Sequence, residues 1–518
     1  MLADRVLQSR LEDRRNAPLE ALDPSLIDVR DGQPMTEPGE ADGGHEADVA
    51  GADQEQVHRG SLRGVGRRHS IVGYPFGRPR GARPSVKVAF VAANTFQYDA
   101  RQMRAASAVA GDGHEVVLVG LAGPGLAERE QLEDGIELRR VVVDGTIASA
   151  FRPLPPALRR GLARGLGFDP AATQLPPTRP TGLDRLRGPL RRLVEIVAHA
   201  RRVGPWSRAV VEAVPNADVY SCKALIALPV IRAAAHRTGG RFVYDIADIH
   251  TEAARLARMP GWFRSVVRGR ERGWMREAAA LTAVSPGVAD EVVRLFGLAR
   301  PVVVLNCPPA WRPGVDMPER TGLLRARTGI PAQRSIVLYQ GGFSVDRGIE
   351  ELVAALDSPA LARRDVVAVF IGYGRLEAWL KDRAAGQPGR IVVVDAIPPG
   401  ELQDHTVDAD VGFVGQPPRT LNQRLNLANK LFEYLQTAVP VVVAEGTAHC
   451  ALVRQHVVGS CVEVDRPEAI GTAIATLLDA PADERERLRR HCREVALAEY
   501  TWEIQGRNVV ELYRRLAA

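Results

Sequence analysis

The chain has 518 residues, a hydrophobic content of 45% and a formal net charge of +6. This length is too great for one hydrophobic core, so two or more domains are expected. No run of 18 uncharged apolar residues occurs, and residues 1–16 alternate charged and apolar side chains. This pattern predicts neither a membrane-spanning helix nor a signal peptide, and we expect a cytoplasmic protein.

Cysteine and lysine are both scarce. The five cysteines show no C-x-x-C spacing, and we interpret them as small buried apolar residues rather than metal ligands or disulfide partners; they are Cys222, Cys307, Cys450, Cys461 and Cys492. Four of the 68 basic residues are lysines, namely Lys87, Lys223, Lys381 and Lys430. In a chain so biased toward arginine, a lysine indicates a position that needs a compact ammonium group.

Residues 1–84 combine glycine, proline and charged residues with little apolar periodicity, and residues 1–60 hold 14 acidic residues against six arginines. Such a segment cannot offset its ordering entropy by burial, so we predict a disordered tail. Regular alternation then begins with an apolar run at 86–92, a helical stretch near 99–111 and a strand at 116–119. These three elements predict a β-α-β unit.

Residues 151–208 interrupt the alternation as a basic insertion, with 12 arginines, three acidic residues and a helical stretch near 184–202. Strands then alternate with helices, which predicts a doubly wound parallel sheet. The predicted strands lie at 218–220, 241–245, 281–284 and 302–305, with helices near 224–237 and from 286.

The same alternation restarts after a proline-rich linker near 308–322. The predicted strands lie at 335–339, 366–371, 391–394, 411–414, 439–444 and 461–464, with helices at 348–356 and from 376. We therefore predict two Rossmann-like α/β domains, over 85–310 and 320–495, and a final helix within 496–518 that packs back on the first domain. Ligands of such domain pairs bind in the cleft, at the carboxyl ends of the strands.

A glycine turn follows the strand at 335–339. Gly341 and Gly342 precede a helix, and Arg347 comes six residues after Gly341. Glycines let backbone N–H groups approach a phosphate, which an arginine can neutralise. A tight turn with a solvated arginine explains the pattern equally well. The later motif Gly372-Tyr373-Gly374 is a weaker indication of a phosphate-binding loop, because it lacks the third glycine of the dinucleotide fingerprint.

The segment 429–443 predicts a helix followed by a strand. On that helix Lys430 and Glu433 share one face, while Leu431, Phe432 and Leu435 lie on another. One face could thus offer a cation to a pyrophosphate and a carboxylate to ribose hydroxyls. An ordinary intrahelical ion pair is the alternative, and it is the commoner outcome of this spacing.

Together these motifs resemble the retaining glycosyltransferases of GT-B fold with the E-x7-E signature, the glycosyltransferase family 4-like type. The resemblance covers roughly residues 86–515. It implies two Rossmann-like domains facing a cleft, and transfer of a sugar from a nucleoside-diphosphate donor with retention of configuration. It implies no metal and no cofactor besides the donor.

The resemblance also assigns roles to residues. Arg347 and Lys430 match the basic pair that clamps the pyrophosphate, and Glu433 matches the glutamate that holds the ribose. His250 follows a strand tip near the acceptor segment, where it could serve the reaction or cap a helix. The catalytic candidates are Arg347, Lys430 and His250, and the donor-binding candidates are Gly341, Gly342, Ile397, Asn429 and Glu433.

Two positions depart from the family pattern. Leu425 stands where the first signature glutamate belongs, and Gly342 replaces an arginine. Amide groups could supply sugar contacts instead, from Asn422, Asn426 and Asn429. A catalytically degenerate GT-B nucleotide-binding protein and a sugar-nucleotide 2-epimerase therefore stay open as alternatives. Nucleic-acid binding is not expected, since no matching motif accompanies the basic insertion.

The helical stretch of the basic insertion carries Leu and Val at helical spacing over 183–197, with arginines among them. Such a helix could lie on an anionic membrane surface, or it could face the core with its arginines solvated. Because many members of the resembling family act on lipid-linked acceptors, we expect peripheral, salt-sensitive membrane association.

Overall fold

The computed structural model describes residues 84–97, 99–132, 135–143, 200–257 and 259–518. Apart from residues 200 and 201, these ranges belong to one compact unit. The expectations for the tail, and for the helical stretch over 183–197, concern residues outside the described ranges.

The first sheet has eight strands in the order β3-β4-β2-β1-β5-β6-β7-β8. Strands β1 to β8 are Lys87–Val91, Glu115–Leu121, Arg129–Gln131, Glu137–Val141, Val219–Cys222, Arg241–Ile246, Ala280–Ala283 and Val302–Val303. All neighbours are parallel except β3 and β4. In the centre Val88 pairs with Val116 on one side and Val219 on the other.

Helices accompany this sheet between the strands. Helices α1 to α6 are Ala100–Gly111, residues 200–213, Leu228–Thr238, Ala254–Ala257, Gly261–Glu277 and Pro286–Phe296. Side-chain caps fix where two of them begin: Asp99 accepts a hydrogen bond from the Gln102 amide, and Ser285 accepts one from the Val288 amide. Helix α6 ends at Gly297, which adopts the left-handed conformation that closes many helices.

The second sheet has six strands, all parallel, in the order β11-β10-β9-β12-β13-β14. Strands β9 to β14 are Ser335–Gln340, Val366–Ile371, Ile391–Val394, Val411–Val414, Val441–Ala444 and Gly459–Val462. The strand order reverses between β9 and β12. In a doubly wound sheet this reversal opens a crevice at the carboxyl ends of the strands.

The helices of the second half complete the layered arrangement. Helices α7 to α16 are Leu323–Thr328, Ile349–Ala355, Glu377–Gly386, Pro399–Thr406, Leu421–Leu425, Asn429–Gln436, Ala448–His456, Pro467–Asp479, Ala482–Glu499 and Trp502–Ala517. The last helix, α16, packs against α1 of the first domain, and Arg514 forms an ion pair with Asp112 there. The prediction of two doubly wound parallel sheets is confirmed.

The prediction for the cysteines is partly wrong. Cys222, Cys307 and Cys492 are buried free thiols, as expected. Cys450 and Cys461 instead form a disulfide that joins α13 to β14, with their Cα atoms 5.5 Å apart. The eleven-residue separation gave no signal of this pairing, because it depends on α13 folding back beside β14.

Candidate donor site at the carboxyl end of the second sheet

Two glycine loops touch at the carboxyl ends of β9 and β10. Gly372 adopts φ +151°, and a Cβ atom there would lie 2.0 Å from the carbonyl oxygen of Gly341. Gly374 is equally constrained, since its Cβ atom would lie 2.5 Å from the Phe343 carbonyl oxygen. The second glycine motif therefore lets the loops pack closely, and it supports the position of the Gly341 turn.

Lys430, the second residue of α12, lies over that turn. Its Nζ is 3.7 Å from the centroid of the Tyr339 ring, and a Cβ atom on Gly341 would lie 3.3 Å from the same nitrogen. Burial lowers the pKa of Lys430 well below its usual value, the charge of Arg347 lowers it further, and Glu433 opposes both. The side chain of Lys430 is thus half-buried, and its ammonium group lies directly above the glycine turn.

Arg347 brings a second positive charge to the same place. Its Nη1 donates to Gln416 Oε1 at 3.2 Å, a neutral partner that leaves the charge uncompensated. Neither Arg347 nor Lys430 forms an ion pair with any residue in the described ranges. Two interacting cations near a glycine turn, neither of them in an ion pair with a described carboxylate, make a site suited to an anion.

Glu433 lies one turn further along α12 and does not pair with Lys430. Its Oε2 accepts a hydrogen bond from Gln340 Nε2 at 2.6 Å, and Gln340 Oε1 accepts one from Thr406 Oγ1 at 2.9 Å. Burial raises the pKa of Glu433, while the Gln340 hydrogen bond and the charge of Arg104 lower it. The intrahelical ion pair that the spacing allowed is therefore absent, and the carboxylate is oriented at the tip of β9.

Comparisons with known proteins agree with this arrangement. Sucrose-phosphate synthase from Thermosynechococcus elongatus aligns over 83% of this chain and 99% of that protein, with a TM-score of 0.60 and 16% identity. The Anabaena protein HepE in complex with UDP and glucose aligns over 82% and 98%, with a TM-score of 0.54 and 14% identity. Residues 334–480 match the family model described as Glycosyl transferases group 1. The chain has the GT-B fold, and its residues 334–480 are similar to glycosyl transferases group 1.

A relative by sequence is alpha-maltose-1-phosphate synthase of Mycobacterium tuberculosis. It is 23% identical to this chain over 304 residues, which is 53% of this chain and 75% of that protein. The segment matched by the family model runs from the start of β9 into the end of α14. It contains the Gly341 turn, Arg347, Lys430 and Glu433, so the candidate donor site lies within the segment that matches the family model.

The other donor-binding candidates lie around the same strand ends. Gly342 is exposed, and its carbonyl oxygen accepts a hydrogen bond from the Tyr339 hydroxyl at 2.8 Å. Asn429 is the first residue of α12, and its side chain makes no hydrogen bond to a described residue. Ile397 follows β11 and has its side chain buried in the core, so it can offer a ligand only its backbone.

His250 lies in the first domain and is engaged in a structural contact. It begins a short 3-10 helix, His250–Glu252, and its Nε2 accepts a hydrogen bond from the Leu225 amide at 3.2 Å. Burial lowers the pKa of His250 to about 4, so the ring is neutral near pH 7. Leu225 lies in the turn before α3, and neither α3 nor the 3-10 helix has a side-chain cap, so the structure does not show the helix-cap role. The catalytic role stays a prediction.

The region of the first signature glutamate holds the two domains together. Asn422 Oδ1 accepts from the Ile249 amide at 2.9 Å, and its Nδ2 donates to the Ile249 carbonyl at 3.4 Å. Ser285 Oγ donates to the Leu425 carbonyl at 2.7 Å, and a Cβ atom on Gly287 would lie 2.8 Å from Leu425 Cδ2. Both ends of the Asn422 amide thus bind the first domain, and a contact with the sugar stays a prediction.

Sequence reasoning missed several groups at this site. Gln340 and Tyr339 end an apolar strand, and a polar residue at a strand tip is a weak signal for a site. Arg104 belongs to α1 of the first domain, yet its charge acts on Glu433. The charges of Lys430 and Arg347 both lower the pKa of His449, which lies on α13. The last two meet the site only through tertiary packing, so no local motif could have indicated them.

Proposed function

We propose that this protein is a glycosyltransferase that moves a sugar from a nucleoside-diphosphate sugar to a glycan, lipid-linked or small-molecule acceptor, with retention at the anomeric carbon. One observation carries the proposal: Lys430 lies over Gly341 within range of the Arg347 charge, and neither cation forms an ion pair with a carboxylate in the described ranges. A diphosphate would supply the missing negative charge. The same cations would stabilise the charge that develops on it as the glycosidic bond breaks.

In this proposal each group has a separate task. Lys430, Arg347 and the first backbone amides of α12 bind the diphosphate, because a helix N-terminus favours negative charge. Glu433, oriented by Gln340, accepts hydrogen bonds from ribose hydroxyls. Retention follows from a front-face route, in which the leaving phosphate accepts the proton of the incoming hydroxyl.

A donor screen tests the proposal. HepE, a structural relative, is described with UDP and glucose, so UDP-sugars are tested alongside GDP-, ADP- and TDP-sugars for thermal stabilisation of the full chain. Donors that stabilise are then assayed for hydrolysis and transfer, and NMR of the product gives the anomeric configuration. No stabilisation by any nucleoside-diphosphate sugar, or an inverted product, would refute the corresponding part of the proposal.

A second candidate is a GT-B protein that binds a nucleotide without turnover. It is favoured by the contacts of Asn422 and Leu425, which commit the region of the first signature glutamate to the first domain. Binding without hydrolysis or transfer would support this candidate. Conversion of a donor into its 2-epimer without an acceptor would instead identify a sugar-nucleotide 2-epimerase.

Membrane association is a separate part of the proposal. None of the helices in the described part of the chain is both long and apolar enough to cross a bilayer. Peripheral binding to anionic lipid rests on the basic stretch over 183–197, which lies outside the described ranges. Sedimentation with anionic vesicles at low and high salt tests it, with Arg187, Arg191 and Arg192 changed to glutamine as the weakened variant.

A further inference from the structure

His449 is held rigidly at the beginning of α13. Its side chain is 1% exposed. The helix begins at Thr447, whose Oγ1 accepts from the Cys450 amide at 3.3 Å and donates to the Ala444 carbonyl at 2.7 Å. The Cys450–Cys461 disulfide ties the same turn to β14. The ring of His449 therefore has little freedom to move.

The contacts of His449 decide where its proton lies. Its Nε2 accepts a hydrogen bond from the Ala428 amide at 2.8 Å. A backbone amide can only donate, so Nε2 carries the lone pair and the neutral ring carries its proton on Nδ1. Nδ1 is buried and has no hydrogen-bond partner among the described residues. Buried N–H groups are seldom left without a partner, which points to a ligand.

The ring lies beside the candidate donor site. Ala428 immediately precedes α12, and the first turn of this helix carries Lys430 and has no capping side chain. Burial and the charges of Lys430 and Arg347 lower the pKa of His449 to about 3, so the ring is neutral near pH 7. A neutral donor can contact an anion without adding a third charge to two cations that already repel each other.

We infer that His449 is a binding residue for the donor diphosphate, and that its Nδ1 donates a hydrogen bond to a phosphate oxygen. This inference rests on the proposed function and extends it by one residue. The site would then bind the diphosphate through two cations, one neutral imidazole N–H group and the amides of α12. The imidazole hydrogen bond orients the phosphate, whereas the two cations supply most of the positive charge.

Two substitutions separate this role from a purely structural one. In His449→Gln the side-chain amide reaches the former position of Nε2, where it can still accept from Ala428, and the Nδ1 donor is lost. In His449→Asn the amide takes the former position of Nδ1, and the contact with Ala428 is lost. Affinities of the full chain for inorganic pyrophosphate, UDP and GDP are measured by titration calorimetry, and stability by thermal unfolding.

We expect His449→Gln to bind the diphosphate probes about tenfold more weakly than the unmodified chain, with nearly the same melting temperature. His449→Asn should melt earlier but lose less affinity. The reverse order, with normal affinity in His449→Gln, would overturn the inference and leave the donor site intact. If the unmodified chain binds none of the probes, the proposed function fails together with the inference.

Discussion

The charge of Lys430 lowers the stability of the protein when no ligand is bound. The side chain is half-buried and lies within range of the Arg347 charge, and among the described residues it is balanced by the Tyr339 ring and, at a distance, by Glu433. Burial of a charge without a close partner is costly, and such costs are typically retained where a ligand offsets them. The scarcity of lysine in the chain agrees with a position at which arginine does not suffice.

Replacing this charge should separate stability from binding. We expect Lys430→Met to leave the unliganded chain as stable or more stable, by about 1 kcal/mol, because desolvation and repulsion are removed. Affinity for UDP or GDP should fall at least about tenfold. Thermal unfolding with and without nucleotide measures both, and Lys381→Met is the control, since exposed Lys381 only pairs with Glu377. A less stable variant with unchanged affinity would show that Lys430 is merely structural.

The lowered pKa of Lys430 predicts how binding depends on pH. Burial, and after it the charge of Arg347, lower this pKa well below 10.5. In the free site Lys430 therefore loses its proton over a pH window that begins well below 10.5. A bound diphosphate favours the ammonium form and raises the pKa. Affinity should therefore fall as pH rises through the window, with proton uptake on binding.

Lys430→Arg is the matched variant for this pH dependence, because a guanidinium group stays protonated throughout. Calorimetry of UDP or GDP binding in two buffers of different ionisation enthalpy measures the proton uptake directly. The pH dependence and the uptake should both flatten in the variant. Equal slopes for the two proteins would show that another group titrates.

Glu433 should be tested through the nucleotide rather than through overall activity. If its carboxylate binds ribose hydroxyls, the unmodified chain should prefer UDP or GDP to their 2′-deoxy and 3′-deoxy forms, roughly tenfold for the hydroxyl that is bound. Glu433→Gln should lose this preference while keeping nearly the same melting temperature, since Gln340 can still hydrogen-bond to the amide. A variant that keeps the preference would exclude the ribose role.

At the scale of elements, the sequence predicts the strands and helices whose limits depend on neighbouring residues along the chain. Strands β10, β11 and β12 have the same limits as predicted, because strands buried on both faces are continuous apolar runs between polar or glycine residues. Strands β3 and β4 were not predicted, since Arg129–Gln131 is entirely polar and Glu137–Val141 carries two arginines. Their pairing at the sheet edge stabilises them, and a single sequence does not display that pairing.

The site was predictable to the same extent. Glycines after a strand, and Lys430 and Glu433 at helical spacing, are local patterns, and the structure brings them together. His449 and the Cys450–Cys461 disulfide depend on how α13 returns to β14, which no spacing encodes. The contact of Asn422 with Ile249 joins residues that lie 173 positions apart. A sequence therefore indicates the ligand-facing motifs more readily than the residues that orient them.

Restoring the first signature glutamate on helix α11 should not raise activity in this protein. Restoring the signature with Leu425→Glu would press a carboxylate against Gly287 and the apolar residues of the first domain. We expect a loss of about 1–3 kcal/mol in stability and no gain in turnover. Chemical denaturation and donor hydrolysis measure these effects, with exposed Arg424→Glu as the control on the same helix. Higher turnover without destabilisation would mean that Leu425 faces the sugar.

At the scale of the whole molecule, the last helix, α16, leaves the second domain and packs on the first domain. Helix α16 places Trp502, fully buried, in the apolar cluster that holds β1 and β2, and Tyr513 packs on Phe90 with ring centroids 5.9 Å apart. Arg514 pairs with the largely buried Asp112 on the same surface. The first domain is thus completed by residues that follow the second domain in sequence.

Trp502→Ala should consequently weaken the first domain, although it lies about 200 positions after the last strand of that sheet. Removing a fully buried tryptophan costs about 3–5 kcal/mol. Hydrogen exchange should show faster exchange in β1 and β2, while β9 to β13 keep their protection and UDP or GDP still slows exchange around α12. Trp262→Ala is the control, since Trp262 is 70% exposed. Equal loss of protection in both sheets would instead mean that the two domains unfold as a single cooperative unit.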